Sequence, residues 1–108
     1  MAVSVADVRE TIDESIALLK NWGAETEYPG PLSKLESARS VLIRNEKKIW
    51  LRSKKGRGML AEVSSAADRL KESFASGDIS VVEGALVEVE ALVNAIEEES
   101  RRRSMVVT

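Results

Sequence analysis

The chain has 108 residues, no cysteine, no histidine and a formal net charge of −2 from 16 Lys/Arg and 18 Asp/Glu. The length suits a single domain, 1–108, that buries one core unaided. The missing residue types exclude disulfides, thiolate metal sites and imidazole acid–base chemistry. A slightly negative total also excludes nucleic-acid binding by bulk charge, so any such role has to come from local clustering.

The opening "MAVSVADVRE" lacks the basic start and apolar stretch of a secretory signal. No apolar run approaches the roughly 18 residues of a membrane span. A cytoplasmic chain is expected. With one Phe, one Tyr and two Trp, its core must come mainly from Leu, Ile, Val and Ala, which suits packed helices.

In chain order, Val5, Val8, Ile12, Ile16 and Leu19 recur at helical spacing and Trp22 extends the stripe. They predict a helix over 4–22, stopped by Gly23. "YPGP" at 28–31 reads as a turn. "SKLE", Ser33 to Glu36, reads as a capping box that opens a second helix over 33–54. That helix places Leu35, Ala38, Leu42 and Ile49 on one side, with Asn45 interrupting, and "GRG" at 56–58 breaks it. Met59, Val63, Ala66, Leu70 and Phe74 predict a third helix over 59–76, closed by Gly77. The fourth, over 79–103, starts with Asp78 or Ser80 as cap, Glu83 being able to close a box with Ser80. Its seam is Ile79, Val82, Leu86, Val89, Val93 and Ile96. Arg101 to Arg103 face the negative end of the helix dipole, and 104–108 form a frayed tail. The fold expected is all-α, an up-and-down antiparallel bundle of four helices, with a helical hairpin paired to a partner as the fallback.

Charge is sorted along the chain. From Arg44 to Arg57 there are seven Lys/Arg and one Glu, whereas from Glu72 to Ser100 there are eight acidic residues and no basic one. Both runs suit solvated helix faces, and both suit docking surfaces. The candidate basic patch is Arg44, Lys47, Lys48, Trp50, Arg52, Lys54, Lys55 and Arg57. Lys and Arg beside an aromatic have the chemistry for phosphates and unpaired bases. Ile49, Trp50 and Leu51 beside Lys47, Lys48 and Arg52 also resemble an interfacial patch, and equally a helix core with a snorkelling rim. Trp50 is expected to lean into the bundle with the cations left in solvent. Glu83, Glu90 and Glu97 fall seven apart and form a candidate acidic face, suited to solvent or to a weak cation site. "RRRS", Arg101 to Ser104, has the form of a basophilic kinase site. No spacing assembles a catalytic pocket, so no catalytic residue, cofactor or metal is expected.

Two stretches resemble the C-terminal helical lid of DnaK-type heat-shock chaperones. In "ARSVLIRNEKKI" the matching residues are Ala38, Leu42 with Ile43, and Glu46 with Lys47. In "RLKESFASGDISVVEGALVEVEALVNAI" they are Leu70, Lys71, Glu72, Phe74, Gly77, Asp78, Ile79 and Leu92. The resemblance covers about half the chain, and neither Trp50 nor "RSKKGRG" belongs to the family's pattern. It implies a small helical bundle. In the family the lid covers a peptide held by a separate β-domain and is driven by an ATPase domain. Neither is present in this sequence, so what the resemblance implies is an accessory or self-associating role.

The function expected is therefore a non-enzymatic protein–protein interaction or accessory module, adaptor-like or lid-like, acting on a protein partner or on itself. The alternative is a small nucleic-acid or polyanion binder using 44–57.

Overall fold

The computed structural model describes residues 3–106, with side chains through Ser104. Among these residues every regular element is helical and there is no strand. The helices are α1 Val5–Asn21, α2 Ala24–Glu27, α3 Pro29–Asn45, α4 Lys54–Ser73 and α5 Ile79–Val106, with 3₁₀ turns at Ile49–Arg52 and Phe74–Ser76. No described helix is long and apolar enough to cross a membrane.

Helix α1 starts where a capping box closes. Ser4 Oγ accepts from the Asp7 amide at 3.1 Å and Asp7 Oδ2 accepts from the Ser4 amide at 3.0 Å. Val5, Val8, Ile12 and Leu19 are buried as the stripe predicts, and Ser15 is buried beside them. The Ser15 hydroxyl is satisfied by donating to the Thr11 carbonyl at 3.1 Å. Gly23, at φ +77°, ends this run in the left-handed region that glycine adopts without strain.

"YPGP" is not a free-standing turn. Pro29 and Pro31 lie in the first turn of α3. The first four amides of a helix have no intrahelical acceptor, so prolines there remove no bond. Ser33 is consequently an exposed residue inside the helix, and the Ser33–Glu36 box does not form among the described bonds.

The larger correction concerns the middle of the chain. The helix expected over 33–54 ends at Asn45, and the one expected from Met59 begins at Lys54. Between them the 3₁₀ turn buries Leu51 and leaves Ile49 82 % exposed, contrary to its expected place on the apolar face. Ser53 caps α4, its hydroxyl accepting from the Gly56 amide at 3.2 Å. "GRG" thus lies within α4 and breaks nothing. Gly56 is required for a different reason: a Cβ there would lie 2.4 Å from both Leu51 Cα and the Trp50 carbonyl oxygen.

Gly77, at φ +70°, closes the third segment as expected. Asp78 then starts α5, its Oδ1 accepting from the Ser80 amide at 2.9 Å and the Ser80 hydroxyl at 2.7 Å. With Ser80 so engaged, the Ser80–Glu83 box is absent among the described bonds. Val82, Leu86, Val89, Val93 and Ile96 are all buried, as the seam predicts. The helix runs past 103 to Val106, so the expected tail is helical over 104–106, and 107 and 108 lie outside the described residues.

The buried apolar residues form one cluster. Helix α1 packs on α3 and α4, and α5 packs on the same two. Ion pairs between Arg9 and Glu46 and between Arg39 and Asp13 set α1 and α3 antiparallel. Pairs between Lys55 and Glu99 and between Arg69 and Glu88 do the same for α4 and α5. Trp22 and Phe74, at the ends of α1 and α4, meet edge to face with ring centroids 5.1 Å apart, so α1 and α4 run parallel. Helices α3 and α4 follow one another in sequence but are not packed neighbours, so the rule that short links join adjacent antiparallel helices fails here. The link from Glu46 to Ser53 crosses the end of the helical body instead.

Overpacking against backbone is poorly relieved, so Gly56→Ala is expected to lower unfolding free energy by about 2 kcal/mol. Gly58→Ala and Gly84→Ala, whose new Cβ meets nothing within 4 Å, should raise it by about 0.5–1 kcal/mol. Urea midpoints of the three variants check this contrast.

Hydrogen bonds from the Ser80 side chain and backbone hold the Asp78 carboxyl below its ordinary value of 3.8. A depressed folded pKa contributes stability above the unfolded value, and that stability is lost as pH falls through the folded one. Wild-type stability should fall more steeply below pH 3.8 than that of Asp78→Asn, whose amide caps without titrating. Urea midpoints between about pH 5 and 2 measure the difference.

Candidate docking surface at the basic end

The crossing link is held by a chain of hydrogen bonds. Trp50 Nε1 donates to Ser100 Oγ at 2.9 Å, and the Ser100 hydroxyl donates to Asn45 Oδ1 at 2.5 Å. Asn45 Nδ2 donates to the Val41 carbonyl and to Glu97 Oε2, both at 2.8 Å. Beside it Glu99, only 7 % exposed, accepts from Lys55 at 3.2 Å, from Arg103 at 2.9 Å and from Arg102. The Arg103 guanidinium also lies over the Trp50 ring, 5.0 Å from its centroid. Among the described residues no buried side-chain polar atom lacks a partner. Four segments are tied at this end: the close of α3, the 3₁₀ turn, the start of α4 and the last part of α5.

This arrangement divides the candidate basic patch. Arg44 lies 3.6 Å from Glu97, and Lys55 is bonded to Glu99. Trp50 is half-buried with its N–H engaged and a face covered, in line with the expected inward lean. Lys47, Lys48, Arg52, Lys54 and Arg57 are exposed, and none belongs to an ion pair among the described residues. Four of these five rim a cleft of about 420 Å³ whose floor includes Val3, Val5, Leu51 and Leu60. Glu46, also on its wall, is paired with Arg9 at 3.6 Å. The floor was not readable from the sequence, because it joins the start of α1 to residues some fifty positions later.

Two electrostatic features favour an anion here. The first turn of α4 holds no acidic residue, yet Lys54, Lys55 and Arg57 lie at its positive dipole end, where cations are disfavoured. Secondly, the segments meeting at this end, 3–10, 44–57 and 97–103, contain eleven Lys/Arg and six Asp/Glu, an excess of five positive charges. The rest of the chain contains five and twelve, an excess of seven negative charges. The total of −2 conceals two regions of opposite sign.

The three residues of the candidate acidic face have different settings. Glu83 is exposed, Glu90 is half-buried, and Glu97 is taken up by Asn45 and Arg44. No group of three potential ligands for a metal occurs among the described residues. Ser104 is exposed and lines an open groove with Arg44, Lys48 and Arg101.

No family model, curated protein or solved structure matches the chain.

Ser100→Ala would leave the Trp50 N–H and Asn45 Oδ1 without their partner in a buried setting. A loss of about 1–3 kcal/mol in unfolding free energy is expected. Ser104→Ala, on exposed surface one turn later, should change it by less than about 0.5 kcal/mol. Equilibrium denaturation of the two variants distinguishes a seated link from a generally tolerant helix end.

Proposed function

We propose that this chain is a non-enzymatic interaction module, a four-helix bundle whose successive long helices alternate in direction and whose basic end docks on an anionic partner. The observation that carries this reading is the set Lys47, Lys48, Arg52 and Arg57. These cations have no ion-pair partner among the described residues and ring one apolar-floored cleft. Neighbouring cations are neutralised from within by Glu97 and Glu99, so these four stand out as the unpaired charge that gathers around the cleft. A helix start that violates the dipole rule is what a site awaiting a counter-charge presents.

The charge pattern admits an acidic protein surface, including the acidic region of a second copy. It favours single-stranded nucleic acid less, because Arg103 covers one face of the Trp50 indole and Ser100 holds its N–H, which ties the ring to the helix end. An accessory role beside a larger machine, as the lid resemblance implies, falls within the same reading.

Retention on immobilised heparin at low and moderate salt tests the proposal. Wild type should be held at low salt and released as salt rises. A variant with Lys47, Lys48, Arg52 and Arg57 as Gln should lose most of that retention. Each polyanion contact removed should flatten the logarithmic salt dependence by roughly 0.7–0.9. Lys20→Gln with Lys34→Gln, at sites outside the basic end, should behave as wild type. Absence of retention at low salt would remove the reading.

A further inference from the structure

Charge alone leaves one residue unexplained. Ile49 is 82 % exposed, more than Val87 at 61 %, Val81 at 47 % or Ile43 at 39 %. It opens the 3₁₀ turn that crosses the basic end, in a run that reads Lys47, Lys48, Ile49, Trp50, Leu51, Arg52, Ser53, Lys54. Leu51 points into the core and Trp50 is bonded to Ser100, so neither accounts for an outward isoleucine. Lys47, Lys48, Arg52 and Lys54 are exposed around it without ion-pair partners among the described residues.

An apolar side chain set among cations matches the chemistry of a lipid–water boundary. Phosphate and carboxylate headgroups pair with the cations, the apolar stems of Lys and Arg lie along the headgroups, and an aliphatic tip enters the acyl boundary. A polyanion in water satisfies the cations equally well but gives Ile49 no reason to be apolar.

The acidic remainder of the chain does not oppose such contact. The body is 47 Å long, and α5 spans most of that length. The screening length at physiological salt is about 8 Å, so most of the acidic region, which extends toward the far end of the body, lies more than one screening length from a surface touching the basic end. Its residual repulsion keeps the long axis from lying flat. Asp7, Glu10 and Glu98 are exposed acidic residues on this end, and Glu46 is exposed but paired with Arg9; the five unpaired cations of the link and α4 outnumber the three.

We propose that the basic end docks end-on to an anionic phospholipid surface, with Ile49 entering the boundary between headgroups and acyl chains and Lys47, Lys48, Arg52 and Lys54 pairing with the headgroups. The cleft floored by Val3, Val5, Leu51 and Leu60 lies beside this tip and has room for a headgroup. The inference rests on the basic end being a docking surface and names what it docks on.

Co-sedimentation with phosphatidylcholine vesicles, with and without phosphatidylserine, tests it, run alongside heparin retention. Wild type should sediment with the anionic vesicles and not with the neutral ones. Each cation near an anionic surface contributes about fivefold in partitioning, so Lys47, Lys48 and Arg52 changed to Gln should lower it about a hundredfold. Ile49→Ser should lower it about tenfold while leaving heparin retention unchanged. Val87→Ser, on the outer face of α5 away from this end, should have no effect on either. Heparin retention without vesicle binding would overturn the lipid inference and leave the docking function standing. Vesicle binding that Ile49→Ser does not weaken would overturn the insertion. Failure on both heparin and vesicles would overturn both proposals.

Discussion

The Ser100 hydroxyl stands between two partners, one at the end of α3 and one within the chain's middle link, donating to Asn45 and accepting from Trp50. Everything at the basic end depends on that junction. It ends α3, seats the 3₁₀ turn across the helix ends and sets where α4 begins. Each neutral bond contributes only about 1 kcal/mol net, but leaving its buried partner unpaired costs as much or more. The junction therefore acts mainly by making other arrangements of the link unfavourable. Gly56 supports it sterically, since only a residue without Cβ lets α4 approach the backbone at Trp50 and Leu51.

Glu99 performs the electrostatic half of the same task. It is nearly buried and gathers Lys55, Arg102 and Arg103, while Glu97 takes Asn45 and Arg44. A buried carboxylate is tolerated because it is both paired and hydrogen-bonded. The cations of the middle run are thereby separated into a pair held by carboxylates, Arg44 and Lys55, and an unpaired group around the cleft. The surface that results is narrower and more apolar at its centre than the seven-residue charge run implies, because the link turns Leu51 in and Ile49 out.

The sequence showed some of this and hid the rest. Asn45 on an otherwise apolar face was a visible anomaly, and it proved to be the end of the helix rather than an interruption within it. The expected capping box at Ser33 was a plausible local signal overridden by a better one, since Pro29 at the helix start is compatible with an earlier beginning. Glycines at 56 and 58 looked like a break, yet glycine also serves close approach, and single-sequence reading cannot tell the two uses apart. The cleft was not legible at all, because its floor comes from α1, the link and α4 together.

Local sequence by itself determined that the chain is all helical, where α1 stops, and which face of α5 is buried. Those properties follow from apolar spacing and from Gly23 and Gly77, within a few residues of where they act. Only the tertiary structure decided where α3 ends, that α3 and α4 are not neighbours, and which cations are left unpaired. The physical reason is distance along the chain. Asn45 is satisfied by Glu97, 52 residues away, and Trp50 by Ser100, 50 residues away, so the bonds that shape the link exist only after the helices have packed.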